Sequence, residues 1–95
     1  MSETKRLVLD ILKPHKPSLL EFTKKLSELD SVDSVNGILY ELDEKVANIK
    51  ITMVGEKLDF KKIKEQIQRL GGSVHSIDEA VCGKRIVDEV KTPQG

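Results

Sequence analysis

The sequence has few of the residues that cross-link chains or carry them across membranes. One of its 95 residues is cysteine, none is tryptophan and 3% are aromatic. A single cysteine, Cys82, excludes an internal disulfide and a thiolate zinc cluster within one chain, and we expect it to be a small buried hydrophobe. No apolar run approaches the roughly 20 residues that span a bilayer. The charged N-terminus does not fit a signal peptide, so we expect a cytoplasmic location.

The charges are numerous but balanced. Lys and Arg together number 16, as do Asp and Glu, and charged residues make up 34% of the chain. Zero net charge argues against a nucleic-acid or membrane surface driven by bulk charge. The length is that of one domain. We expect a single domain over 1–95, with its core in 5–83 and a C-terminal extension over 84–95.

Along the chain, the spacing of hydrophobic residues alternates between that of a strand and that of a helix. Runs of period two predict strands, and stripes at helical spacing predict helices. Ser18 and Glu21 form a capping-box pattern before the first helix, and Gly71 follows the second helix as a glycine cap. We expect strands over 5–12, 35–42, 47–54 and 73–81, and helices over 19–29 and 60–70.

An internal repeat in the sequence predicts how these elements are arranged. The first helical stripe recurs at the same spacing in the second, and the first strand's apolar triplet recurs in the third. Two similar β-α-β halves predict an α+β, ferredoxin-like β-α-β-β-α-β sandwich. Right-handed crossovers then place both helices on one face of an antiparallel sheet ordered 4-1-3-2.

The sheet face away from the helices, here called the open face, is mixed in character. We expect it to be too apolar to stay bare in water and too polar for a second core. Such faces commonly bind a partner or a copy of the same chain, although a patchy solvated surface would look the same. The residues predicted on it are Val8, Asp10, Leu12, Leu39, Glu41, Lys50, Thr52 and Val54.

The segment SVHSIDEA, residues 73–80, is unusually polar for a strand. If Ile77 faces the helices, alternation divides its neighbours between the two faces. Val74, Ser76 and Asp78 are then predicted on the open face, and His75 and Glu79 on the helix side or at strand ends.

The predicted order brings Asp78 beside Asp10 of the first strand. Two neighbouring carboxylates repel each other unless something positive lies between them. A divalent cation with oxygen ligands would serve, and so would Lys50 on the third strand, so both explanations stay open. Glu79 would join such a site from a bulge, and His75 is a further candidate ligand.

Several function classes lack their usual residues. The first and third strands have no aromatics to stack on RNA bases. No cysteine pair follows the first strand, and no glycine-rich loop precedes the first helix. Neither a nucleophile-histidine-acid set nor a zinc-protease motif can be identified. The sequence therefore gives no positive reason to expect an enzyme.

Three segments resemble the small archaeal DUF211 family of unknown function: RLVLDILKPHKP, VDSVNG and GGSVHSIDEAVCGKRIVDEVKTPQG. The resemblance implies a ferredoxin-like fold, an archaeal source, ring-like homo-oligomers and bound divalent cations. It points to Asp10, Asp78 and Glu79 as the acids concerned.

Together these observations predict a non-catalytic, homo-oligomeric protein that binds a divalent cation, with Ca²⁺ or Mg²⁺ expected. The predicted ligands are Asp10, Asp78, Glu79 and His75. Residues 84–90 would cover the sheet edge of an adjacent subunit. The alternative is a regulatory domain with a small-metabolite site between subunits, and a metal-dependent hydrolase ranks last.

Overall fold

A computed structural model of the protein describes residues 2–87. It is an α+β structure in which two helices accompany a four-stranded antiparallel sheet. No helix in this range is long and apolar enough to span a membrane. In chain order the elements are β1 (Glu3–Pro14), α1 (Leu19–Ser27), β2 (Ser34–Leu42), β3 (Val46–Val54), α2 (Phe60–Arg69) and β4 (Ser73–Gly83).

The strand order is β2-β3-β1-β4, which is compatible with a ferredoxin-like sandwich. β1 lies between β3 and β4, as predicted, and pairs antiparallel with both. Alternate residues of β1 and β3 are fully or almost fully buried, because they face the helices. The main core residues are Leu7, Leu9, Ile11, Ile49, Ile51, Met53, Phe22, Leu26, Ile63 and Ile67.

Both helices begin and end as the sequence predicts, to within two residues. Ser18 caps α1, since its Oγ accepts a hydrogen bond of 3.2 Å from the Glu21 backbone N–H. Asp59 caps α2 in the same way. Gly71 ends α2 with φ of 87°, a conformation in which a side chain would be strained.

Because of β-bulges, several side chains face the opposite side of the sheet from the one predicted. A shift between Leu39 and Glu41 leaves Leu39 opposite the buried Ile49, so Leu39 is on the helix face and the prediction for it was wrong. The adjacent Ile38, opposite Lys50, takes the open face instead. Strict alternation fails here because a bulge inserts one extra residue.

The pairing of β4 with β1 has three register shifts, and two of them, between Val8 and Leu9 and between Asp10 and Ile11, leave an extra residue in β4. Val74 is opposite Ile11 and packs against the core, so its predicted place on the open face was wrong. Glu79 is opposite Val8 and lies on the open face, not on the helix side. The bulge that the sequence suggested is present, and it reverses the direction of the residues beyond it.

The end of β4 also differs from expectation. The strand continues to Gly83 instead of stopping at Val81. Cys82 is exposed, not buried, with Sγ 3.6 Å from Thr4 Oγ1. Residues 84–87 form no regular element, and the rest of the predicted segment 84–90 lies outside the described residues.

Candidate metal site

Asp10 stands in the middle of the open face, between two neighbouring strands. Its cross-strand partners are Lys50 on β3 and Ser76 on β4. Its Oδ1 is buried and accepts no hydrogen bond from residues 2–87. The described ion pairs include none between Asp10 and Lys50 within 4.0 Å. The salt bridge between Asp10 and Lys50 that the sequence left open is therefore not formed, and within the same range the buried oxygen lacks a donor.

Asp78 is linked to the neighbourhood of Asp10 through Ser76. It occupies the bulge of β4, because Ile77 and Glu79 pair with consecutive residues of β1 and leave Asp78 without a partner. The Ser76 hydroxyl donates a 2.6 Å hydrogen bond to Asp78 Oδ1. Since Ser76 is itself directly opposite Asp10, it adjoins both acids.

The other two candidates have different surroundings. Glu79 Oε1 lies 3.0 Å from Arg6 Nε, and both side chains are about one-third exposed. This charge is already balanced by a neighbour. His75 is exposed and lies at the second irregularity of β4, between the paired residues Val74 and Ser76.

A neutral amide oxygen, that of Asn48, lies on the same face of the sheet as Asp10. Asn48 lies two residues before Lys50 on β3 and therefore on the same face. Its Oδ1 is also buried and without a hydrogen-bond donor in the described part of the chain. Asn48 is not among the predicted site residues, although alternation with Lys50 and Thr52 could have placed it on the open face.

Within residues 2–87, no three side chains among the histidines, cysteines, aspartates and glutamates come together to hold an ion. The arrangement is smaller: Ser76 is hydrogen-bonded to Asp78 and stands across the strands from Asp10, and the Asn48 amide oxygen lies on the same face. In a regular antiparallel pair, diagonal neighbours lie about 7–8 Å apart. Side chains at that spacing can both reach one ion whose oxygen ligands lie at about 2.3–2.6 Å.

Comparison with known proteins identifies a matching family and a similar archaeal protein. The DUF211 family, described as uncharacterized ArCR, matches residues 5–95. The chain belongs to the DUF211 family. It is also 50% identical over 94 residues to the uncharacterized protein MJ0319 of the archaeon Methanocaldococcus jannaschii, covering 99% of this chain and 97% of that protein. Neither description states a ligand, activity or partner.

Proposed function

We propose that this DUF211 protein is a non-catalytic, homo-oligomeric binder of a divalent cation, with Asp10 and Asp78 as its principal ligands. The observation that supports this most is the buried Oδ1 of Asp10, which has no hydrogen-bond donor among residues 2–87. Asp10 is opposite a serine that is hydrogen-bonded to Asp78. We expect the protein to be cytoplasmic.

A bound cation would compensate the polar groups around Asp10 more fully than the neighbouring protein groups do. Leaving a buried acceptor unsatisfied costs about 1–3 kcal/mol, and Asp10 and Asn48 each present one. Two carboxylates near one another also repel. A hard cation relieves both penalties, because it takes carboxylate and amide oxygens as ligands.

The irregular geometry favours Ca²⁺ over Mg²⁺. Ca²⁺ accepts six to eight oxygens in flexible arrangements, whereas Mg²⁺ requires a near-ideal octahedron and keeps several waters. Two acids on a bulged strand pair supply too few ligands for a closed site, so water or a neighbouring subunit would supply the remainder. Glu79 is a weaker ligand because Arg6 already neutralises it, and His75 is a further outer candidate.

Self-association is proposed on the exposed edge of the sheet. β2 is an edge strand, and it exposes Ile38 by 45% and Tyr40 by 64%. An apolar edge with unpaired backbone groups invites a second chain. Residues 84–90 of an adjacent copy would be its cover, and Ile86 and Val87 are themselves exposed. Sedimentation equilibrium tests this, since Ile38→Lys with Tyr40→Lys should lower the assembled mass.

Calorimetric titration tests the cation site. Ca²⁺, Mg²⁺ and Mn²⁺ are titrated into the wild type, Asp10→Asn, Asp78→Asn and the double variant. Each amide keeps the shape and removes one charge, so each single change should weaken binding and the double change should abolish it. Asp33→Asn, an exposed aspartate of the α1–β2 loop, is the matched control and should bind like the wild type.

Two results would remove the proposal. One is a wild type that takes up none of the three ions. The other is binding that survives in the double variant. The alternative of a metabolite site between subunits stays a prediction.

A further inference from the structure

A second feature lies on the helix side of the sheet, where the β2–β3 hairpin extends past the start of α1. The sheet is incompletely covered there and a cleft of about 290 Å³ remains. Most of its wall is aliphatic. Its lining residues are Lys13, His15, Ser18, Leu19, Leu39, Leu42, Ala47 and Ile49.

Lys13 is the unusual member of this set. It continues the helix-facing series of β1 and pairs with Ala47, so only 3% of it is exposed. Its Nζ donates a 2.7 Å hydrogen bond to the Pro14 carbonyl and lies 5.9 Å from the centre of the Phe22 ring. No carboxylate of residues 2–87 pairs with it. Lysine side chains are almost never this buried unless an anion accompanies them.

We propose that this cleft binds a small monocarboxylate with a branched or short aliphatic tail, whose carboxylate pairs with Lys13 Nζ and whose tail packs on Leu39, Leu42 and Ile49. The proposal is independent of the cation site, which lies on the opposite face. It also differs from a metabolite site between subunits, because every contact comes from one chain.

The size and charge of the cleft fit this ligand class. Its volume of about 290 Å³ lies just below the range of about 300–1,000 Å³ found for ligand pockets, which favours a small molecule. The Ser18 cap and the first turn of α1 also border it, and a helix N-terminus attracts negative charge. Burial lowers the pKa of Lys13 from its ordinary value of 10.5, and a bound carboxylate would favour the charged amine again.

The walls of the cleft are held in place before any ligand arrives. His15 Nε2 donates a 2.7 Å hydrogen bond to the Asp43 carbonyl, which ties the end of β1 to the hairpin. Asp43 Oδ1 in turn accepts the backbone N–H groups of Lys45 and Val46. Leu42 is 61% exposed at the rim, an apolar surface that an aliphatic tail would cover.

The test uses 4-methylpentanoate as the probe. Its binding is monitored through the amide chemical shifts of the full-length ¹⁵N-labelled protein. Two further probes separate head from tail: 4-methylpentanol lacks the charge, and acetate lacks the tail. The acid should shift residues that line the cleft and bind more tightly than either. Lys13→Met keeps the length and removes the charge, and should lower the affinity for the acid about tenfold or more.

Two variants keep the result interpretable. Lys16→Met changes an exposed lysine near the cleft and should leave binding unchanged. Leu42→Ser changes an exposed rim residue, is compatible with folding and should also weaken binding. The proposal is overturned if the acid causes no shifts at millimolar concentration, if the alcohol binds as well as the acid, or if Lys13→Met and Lys16→Met behave alike.

Discussion

Ser76→Ala separates the binding role of the serine from its structural role. The hydroxyl of Ser76 donates to Asp78 Oδ1 over 2.6 Å and stands opposite Asp10. Alanine removes this hydrogen bond and leaves the strand pairing intact. If Asp10 and Asp78 share an ion, Ser76 holds one ligand in position, and its loss should reduce affinity more than stability.

The structure sets the size of both effects. A 2.6 Å O–H···O bond to a carboxylate is short and charge-assisted, but Asp78 is exposed and water competes for it. The loss in metal-free stability should therefore be at most about 1 kcal/mol. Removing a group that orients a metal ligand typically costs about 10–100-fold in affinity, which corresponds to about 1.4–2.7 kcal/mol.

Two measurements read these quantities separately. Urea unfolding in the presence of a chelator gives the stability, and calorimetric titration with Ca²⁺ gives the affinity. Ser73→Ala is the matched control, because Ser73 lies on the same strand opposite Leu12, away from the acids. Ca²⁺ affinity that is equal in Ser76→Ala and Ser73→Ala would refute the reasoning.

Two further predictions concern the fold that carries these sites. Gly55→Ala should lower stability by about 1–3 kcal/mol in urea unfolding, since its Cβ would collide with the Ser31 carbonyl oxygen, which is backbone and cannot rotate away; wild-type stability would contradict this. The backbone N–H groups of Val46 and Lys45 hold the pKa of Asp43 below its ordinary value of 3.8. The stabilising charge is therefore present above pH 3.8 and lost as pH falls through the lower, folded-state pKa. Asp43→Asn should consequently be less stable than the wild type at pH 7 and approach it in acid, and a pH-independent difference would count against this assignment.

The periodicity of the sequence was sufficient for the element order and the core, because burial on one face repeats at two or 3.6 residues. The stripe of Phe22 and Leu26 and the alternation of Leu7, Leu9 and Ile11 carry that signal directly. Side-chain direction near a bulge could not be read in this way. Leu39, Val74 and Glu79 each lie next to an extra residue of their strand, and such a residue puts the alternation on its two sides out of phase.

The candidate site was predictable in part. The sequence placed β4 beside β1, and so brought Asp78 into the neighbourhood of Asp10. It could not show that Glu79 would pair with Arg6, because that contact depends on the bulge. Lys13 was overlooked although it extends the buried series of β1 by one step, since a lysine at such a position is ordinarily exposed.

The most direct test of the cation site is a crystal structure of the assembled protein grown with Mn²⁺, which has a measurable anomalous signal. We predict an anomalous peak on the open face within ligand distance of Asp10 and Asp78, with the Asp10 Oδ1 oxygen directed at it. A map without a peak there, or with the two carboxylates directed away from each other, would contradict the proposed site.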